Sequence, residues 1–357
     1  MTIVAHSRSF VIGVDTHAKT HTYAVIQTTS GQLLGCRQFP ATPPGMNRAI
    51  AWVGRLSGGD AEALWAIEGV ATYGARLART AAQSGYEVIE APRANAKARH
   101  GIGKSDPLDA HAIAAAVLPL EEDRLRHPRA DDGTRQALRV LVAARDQMTQ
   151  EKTMNVNALT ALLRVNDLGI DARRSLTASQ IGQVSRWQQR AEPLAITTAR
   201  EEAVRLARRI LELQNALTVN HARLNELITA SPAAPLLEET GIGAYTAAVI
   251  LAAWSHPGRV RNDAAFAALA GVNPIPASSG NTTRHRLNRG GDRRLNKALH
   301  TIAITRMSRH PATKAYLDKR LAEGRTRREI RRCIKRYLAR HVYRTLNTLY
   351  DHAPETT

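Results

Sequence analysis

The chain has 357 residues, 43% hydrophobic and only 4% aromatic, which excludes a disordered chain and leaves cores built mainly from Ala, Leu, Val and Ile. Fifty Lys and Arg against thirty-one Asp and Glu give a formal net charge of +19, an excess that favours a polyanionic partner, nucleic acid ahead of a membrane surface. Two cysteines, Cys36 and Cys333, are too few for a disulfide framework; with no secretory signal and no apolar run of about 18 residues, a reducing cytoplasm and no membrane partner are expected.

The first 120 residues alternate strand and helix signals. Strands are predicted at "FVIGVD" (10–15), "TYAVIQ" (22–27), "QLLGCRQF" (32–39), "ALWAIE" (63–68) and "YEVIEA" (86–91). "PPGMNRAIAWVGRL" reads as a helix entered through Pro43 and Pro44, and "TYGARLARTAAQSG" as one stopped by Gly85. The first three strands follow one another too closely for crossover helices, so they form an antiparallel meander. The later two are helix-spaced and therefore parallel, because parallel pairing needs a long return connection.

From about 132 to 229 the pattern changes to two long helical runs. One carries Leu138, Leu141, Met148, Leu159 and Leu162; the other carries Val204, Leu206, Ile210, Leu213, Leu217, Leu224 and Leu227. They fit either an ordinary bundle or a protruding arm for RNA or another subunit. Near residue 240, a helix, "GIG" and a second helix resemble a helix-hairpin-helix element. Its turn, through Gly241 and Gly243, can offer backbone N–H groups to a phosphate or can serve helix packing alone. Between Arg284 and Arg344 there are twenty Lys or Arg and four Asp or Glu, the clearest electrostatic footprint for nucleic acid. Three regions are expected: 8–125, 126–230 and 231–350.

Two carboxylates interrupt apolar runs. Asp15 lies in the first strand of the meander, and Glu68 closes a later strand at the C-terminal edge, where open sheets gather ligands. In "KSDPLDAHAIAAAVL", Asp106 and Asp109 are three apart at the start of a helix, which places them on one side of its first turn. Helix capping explains that pair taken alone. Four acids on two strands and one helix repel one another unless cations neutralise them, and oxygen ligands suit Mg²⁺ or Mn²⁺. In a basic protein the matching substrate is a phosphodiester. His17 and His21 are candidates for substrate contact, against the commoner reading of surface histidines.

Asp15, Glu68, and Asp106 with Asp109 in "KSDPLDA" resemble the DEDD tetrad of the IS110-type insertion-sequence transposases, whose N-terminal domain is similar to RuvC resolvases. The segment "LAGVNPIPASSGNTTRHRLNRGGDRRLNKALH" (269–300) resembles their C-terminal transposase domain. The resemblance runs from about residue 10 to 345. It implies an RNase H-like (RuvC-like) mixed-sheet domain, a long helical connecting region and a mainly helical, basic C-terminal domain.

That resemblance also implies a nucleophilic serine just before the glycine of "SG", which is Ser279 here, with Ser278 as the adjacent alternative. Arg284, Arg286, Arg289, Arg293 and Arg294 are candidates for nucleic-acid contact, and Asn281 and Asn288 for orienting groups. Further implied are a serine-linked DNA intermediate, donor and target double-stranded DNA as partners, and a structured bridge RNA that pairs with both. A homodimer assembling to a homotetramer would share the composite site between subunits. Two alternatives remain beside this: a RuvC-like structure-selective endonuclease using water, and a nonenzymatic nucleic-acid scaffold.

Overall fold

The computed structural model describes residues 2–92, 105–129, 133–277 and 285–351. Its contacts divide the chain into two compact units, Met1–Ala130 with His256–Ala265, and Asp131–Ser255 with Phe266–Thr357. The stretches 126–230 and 231–350, distinct in sequence pattern, thus both contribute mainly to the second unit.

The first unit begins with a four-residue helical turn, α1 (Val4–Ser7), followed by β1 (Phe10–Thr16), β2 (Thr20–Gln27) and β3 (Leu33–Pro40). Then come α2 (Pro43–Leu56), β4 (Leu64–Ile67), α3 (Ala75–Gln83), β5 (Val88–Glu90) and α4 (Asp106–Val117). The five strands form one sheet in the order β3-β2-β1-β4-β5. β1, β2 and β3 pair antiparallel, while β1 with β4 and β4 with β5 pair parallel. This is the mixed sheet of the RNase H-like (RuvC-like) class, with the meander and the parallel half where the connection lengths place them. α2 starts where its prolines predict: Thr42 accepts a hydrogen bond from the Gly45 N–H and a proline occupies the first turn.

Alternation along the strands sends side chains to two cores. Ile12, Val14, Tyr23, Val25, Trp65 and Ile67 pack against Met46, Ala49 and Val53 of α2 and Leu77 and Ala81 of α3. On the other face Val11, Ile26, Leu64, Ala66 and Ile89 meet Ile113, Ala114 and Val117 of α4. Gly13 is where α4 approaches most closely: a Cβ there would stand 2.1 Å from the Ala110 carbonyl oxygen and 2.5 Å from the Ala114 nitrogen. Small residues on both sides let the start of α4 come down onto the end of β1.

The second unit is helical. α5 (Thr134–Val165, 32 residues) and α7 (Leu194–Thr229, 36 residues) are each about 50 Å long. They run antiparallel: Arg145 donates to the Leu217 carbonyl at 2.9 Å, the Asn220 amide donates to the Leu141 carbonyl at 3.0 Å, and Arg209 pairs with Glu151 at 2.7 Å. A helix absent from the sequence-based expectations, α6 (Ala178–Ser185), closes their far end, with Ile181 and Val184 packed among Leu159, Ala203 and Ile210.

After α7, a five-residue 3-10 turn (Ala234–Glu238), rather than an α-helix, precedes Gly241-Ile242-Gly243, and α8 (Ala244–Trp254) follows. α9 (Asp263–Leu269) leads to a hairpin of β6 (Pro274–Pro276) and β7 (His285–Leu287), then α10 (Arg293–Arg309), α11 (Pro311–Ala322) and α12 (Arg327–Asp351). Trp254 is fully buried and donates to Asn347 Oδ1 at 3.0 Å, and Phe266 stacks near Tyr343, so α12 is tied to the elements before it. Among the described residues, no helix is long and apolar enough to cross a membrane.

Candidate active site

The end of β1 carries Asp15, whose residue is 6% exposed. Its face follows from parity: with Val11 and Gly13 it points to the α4 side of the sheet. The registers then line up a row across four chain segments. Asp15 pairs with Thr22, Thr22 with Gln38, and Val14 with Ile67, so Asp15 and Glu68 stand level on adjoining segments. β4 ends at Ile67 and Glu68 begins the following turn, exposed. The turn is fastened from both sides, because the Glu68 N–H donates to the Val14 carbonyl at 3.0 Å and Thr16 Oγ1 donates to the Glu68 carbonyl at 2.9 Å.

Asp106 and Asp109 sit in the first turn of α4, and the N-cap is Ser105, not Asp106. Asp106 is the first helical residue, so capping does not account for its carboxylate. His17 bridges the strand and the helix: its Nε2 lies 3.1 Å from Asp15 Oδ2 and 3.6 Å from Asp106 Oδ1. Gln38 Nε2 donates to Asp106 Oδ2 at 3.3 Å. One ligand atom each from Asp15, His17 and Asp106 lies within 4.8 Å of the others; Glu68 and Asp109 are not in that tight group. Burial pushes the Asp15 carboxyl above its ordinary range, His17 pulls it back, and the charges of Asp109 and Asp106 push it further up.

The donor set suits a divalent cation. Two carboxylates from different elements converge, one of them almost wholly removed from water, and their oxygens suit a hard divalent cation. The sequence offered His17 as a substrate contact or a surface histidine; the structure sets it between Asp15 and Asp106. Gln38 carried no sequence signal, because only the β2–β3 register brings it to Asp106.

Ser278, Ser279, Arg284 and Asn281 lie outside the described residues. The strands flanking them pair Pro276 with His285, so the serine segment is the connection of the β6–β7 hairpin. Arg286 is exposed on β7, and Arg289 and Arg293 are exposed beside it. Arg294 is engaged within the unit, pairing with Asp146 of α5 at 2.7 Å. Asn288 holds the hairpin base, donating to Asn273 Oδ1 at 2.7 Å and accepting from the Gly290 N–H at 2.8 Å. In the GIG turn the Ile242 N–H donates to the Glu239 carbonyl and the Gly243 N–H to Thr246 Oγ1. Gly241, with φ of 89°, packs against α10, where a Cβ would meet the Ile302 carbonyl oxygen at 3.2 Å. The Ile242 and Gly243 N–H groups are thus engaged locally, and Gly241 packs on α10.

Comparison with known proteins places these elements in context. A family model for the DEDD domain of IS110 elements, described as "Transposase", matches residues 12–165. A second, "Transposase IS116/IS110/IS902 family", matches residues 233–318. A relative from Streptomyces coelicolor, the "Insertion element IS110 uncharacterized 43.6 kDa protein", is 26% identical over 348 residues, covering 84% of each chain.

Proposed function

Because the chain belongs to the IS116/IS110/IS902 family of transposases, whose substrates are DNA, we propose that it is the metal-dependent recombinase of an insertion sequence, cutting and rejoining strands through a serine-linked DNA intermediate. The observation that carries this reading is the convergence of Asp15 and Asp106 at the end of the sheet, in a protein of net charge +19.

Asp15, Glu68, Asp106 and Asp109 would hold Mg²⁺, with Mn²⁺ as a substitute. When bound, the metal neutralises phosphate oxygens and stabilises the entering and leaving oxygens of an in-line displacement. The protein's part is placement. Asp15 is fixed by the strand, Asp106 and Asp109 by the first turn of α4, and Glu68 by the fastened turn after β4. His17, its side chain 52% exposed, offers a nitrogen beside the two carboxylates and would add to the ligand set.

The Ser279 hydroxyl oxygen then attacks the scissile phosphorus. The bond from phosphorus to the sugar oxygen breaks, the serine proton is lost, and the departing oxygen gains one. One phosphoester replaces another, so attack by a sugar hydroxyl of the second DNA rejoins strands without ATP, and two rounds form and resolve a four-way junction. A bridge RNA pairing with donor and target would choose the sequences, leaving the protein to bind phosphate and shape. A homodimer pairing into a tetramer would let one subunit's serine serve another's acids.

The test uses the full-length protein, Mg²⁺, copurified RNA and duplexes carrying the sequences that flank its gene, with covalent protein–DNA product read on a denaturing gel. Ser279→Ala is expected to abolish the adduct while Ser278→Ala retains it, and Asp15→Asn to abolish both adduct and Mg²⁺ binding. Unchanged cleavage by Ser279→Ala would make water the nucleophile. Unchanged Mg²⁺ binding by Asp15→Asn or Glu68→Gln would leave a nonenzymatic scaffold.

A further inference from the structure

A second feature of the C-terminal unit lies at the root of the β6–β7 hairpin. A cavity of about 670 Å³ opens there between the hairpin, the end of α11 and the first half of α12. Six basic residues line it: Arg286, Arg320, Arg325, Arg332, Lys335 and Arg336. The lining has a single acid, Glu329, and that carboxylate is committed to the start of α12, accepting from the Thr326 N–H and hydroxyl at 2.9 Å each. Lys335 is held in place, donating to Asn296 Oδ1 at 2.6 Å, while the Asn296 amide donates to the Ala270 carbonyl at 2.7 Å. Burial, with the charge of Arg331 added, pulls the Lys335 ammonium below its ordinary range, so an incoming anion would relieve an existing strain on that charge. Val272, Leu287 and Ile330 supply apolar wall.

We propose that this cavity seats the sugar–phosphate backbone of a single DNA strand. Concentrated positive charge with one committed acid selects a polyanion. A cavity of this volume takes roughly one or two nucleotide units of a single chain, not a duplex. The apolar wall gives sugars and base faces a surface that a bare phosphate site would not need. Position adds that the cavity is bounded by Pro274 of β6 and Arg286 and Leu287 of β7, so a strand seated in it lies against that strand pair. The assignment rests on the reading that the chain acts on DNA and names where one strand is gripped.

Binding of a labelled 12-nucleotide single-stranded DNA, the same sequence as RNA and the same sequence as duplex DNA is measured by fluorescence anisotropy at several salt concentrations. The proteins are the full-length chain, Arg332→Gln/Arg336→Gln and Lys335→Met, with melting temperature as a check on folding. The double variant is expected to bind single-stranded DNA roughly tenfold more weakly, with the salt slope shallower by about 1.4, while duplex affinity changes less than about twofold. Lys335→Met should weaken the single strand in the same sense. Unchanged single-strand affinity in a folded double variant overturns the assignment. So does equal loss for strand and duplex, which marks a diffuse basic surface, or loss for RNA alone, which makes RNA the occupant. If Arg336→Gln alone keeps the fold where the double variant does not, it is expected to show a slope change of about half the size, and no change overturns the assignment. Adduct formation at Ser279 is read separately. A wild-type adduct with unaltered strand binding in the variants sinks the cavity and leaves the reaction standing; lost strand binding with no wild-type adduct does the reverse.

Discussion

Asp15 gains its chemistry from burial, from His17 at 3.1 Å, and from Asp109 and Asp106 on a helix some ninety residues later, which no local rule supplies. The apolar run around it marked the residue as unusual, while nothing in the sequence set His17 between two carboxylates. Gln38 was invisible because its role depends on register alone. Arg8 shows the same economy at the opposite end of β1, where it pairs with Glu62 at 3.4 Å, Glu87 at 2.5 Å and Glu122 at 3.0 Å. For Glu122, burial acts to raise the carboxyl, but hydrogen bonds from Arg8 and Ser7 and the charge of Arg8 outweigh it, and the net shift is downward from 4.5. A carboxyl depressed on folding contributes stability that is present above its unfolded value and lost as pH falls through the folded one. Wild-type protein should therefore melt above Glu122→Gln, by roughly 1 kcal/mol of stability, at pH 6 to 7. The two curves should converge below about pH 4 when melting temperature is followed against pH.

At the scale of elements, α4 is the piece that makes or breaks the site. Its start was legible from "SDPLDA", since proline in the first turn and acids at the N-terminus agree with the helix dipole. Where it lies was not legible, and Gly13 is the reason it can lie so close. Gly13→Ala would force the Ala110 carbonyl and Ala114 away. The expected result is a loss of about 1–3 kcal/mol in chemical denaturation, together with loss of the thermal stabilisation by Mg²⁺ that the proposed site predicts for the wild type. A retained Mg²⁺ response would mean that α4 does not position the metal ligands. The long helices follow the opposite logic. Their apolar stripes announced α5 and α7, although α7 begins at Leu194, well ahead of Val204 where its stripe was read, whereas α6 was missed because eight residues give too short a window for periodicity. The hairpin β6–β7, three residues a side, was hidden for the same reason.

For the whole molecule, charge is the dominant property and is already present in the composition. Duplex DNA affinity should fall steeply between 50 and 200 mM salt, with a log–log slope steeper than about −5, as expected when several phosphates are neutralised at once; a slope near zero in a binding titration would remove phosphate contact as the source of affinity. Hydrophobic spacing and connection length determined the mixed sheet and the long helices, because both are local consequences of period and chain reach. The sequence also singled out the four acids by their odd settings. Tertiary structure alone decided that Asp15 and Asp106 meet through His17, that Glu68 lies in a turn beyond its strand, that the GIG turn packs on α10, and that six basic residues wall one cavity. Each of those is a through-space relation between residues far apart in the chain, set by strand register and helix docking, which periodicity and composition do not encode.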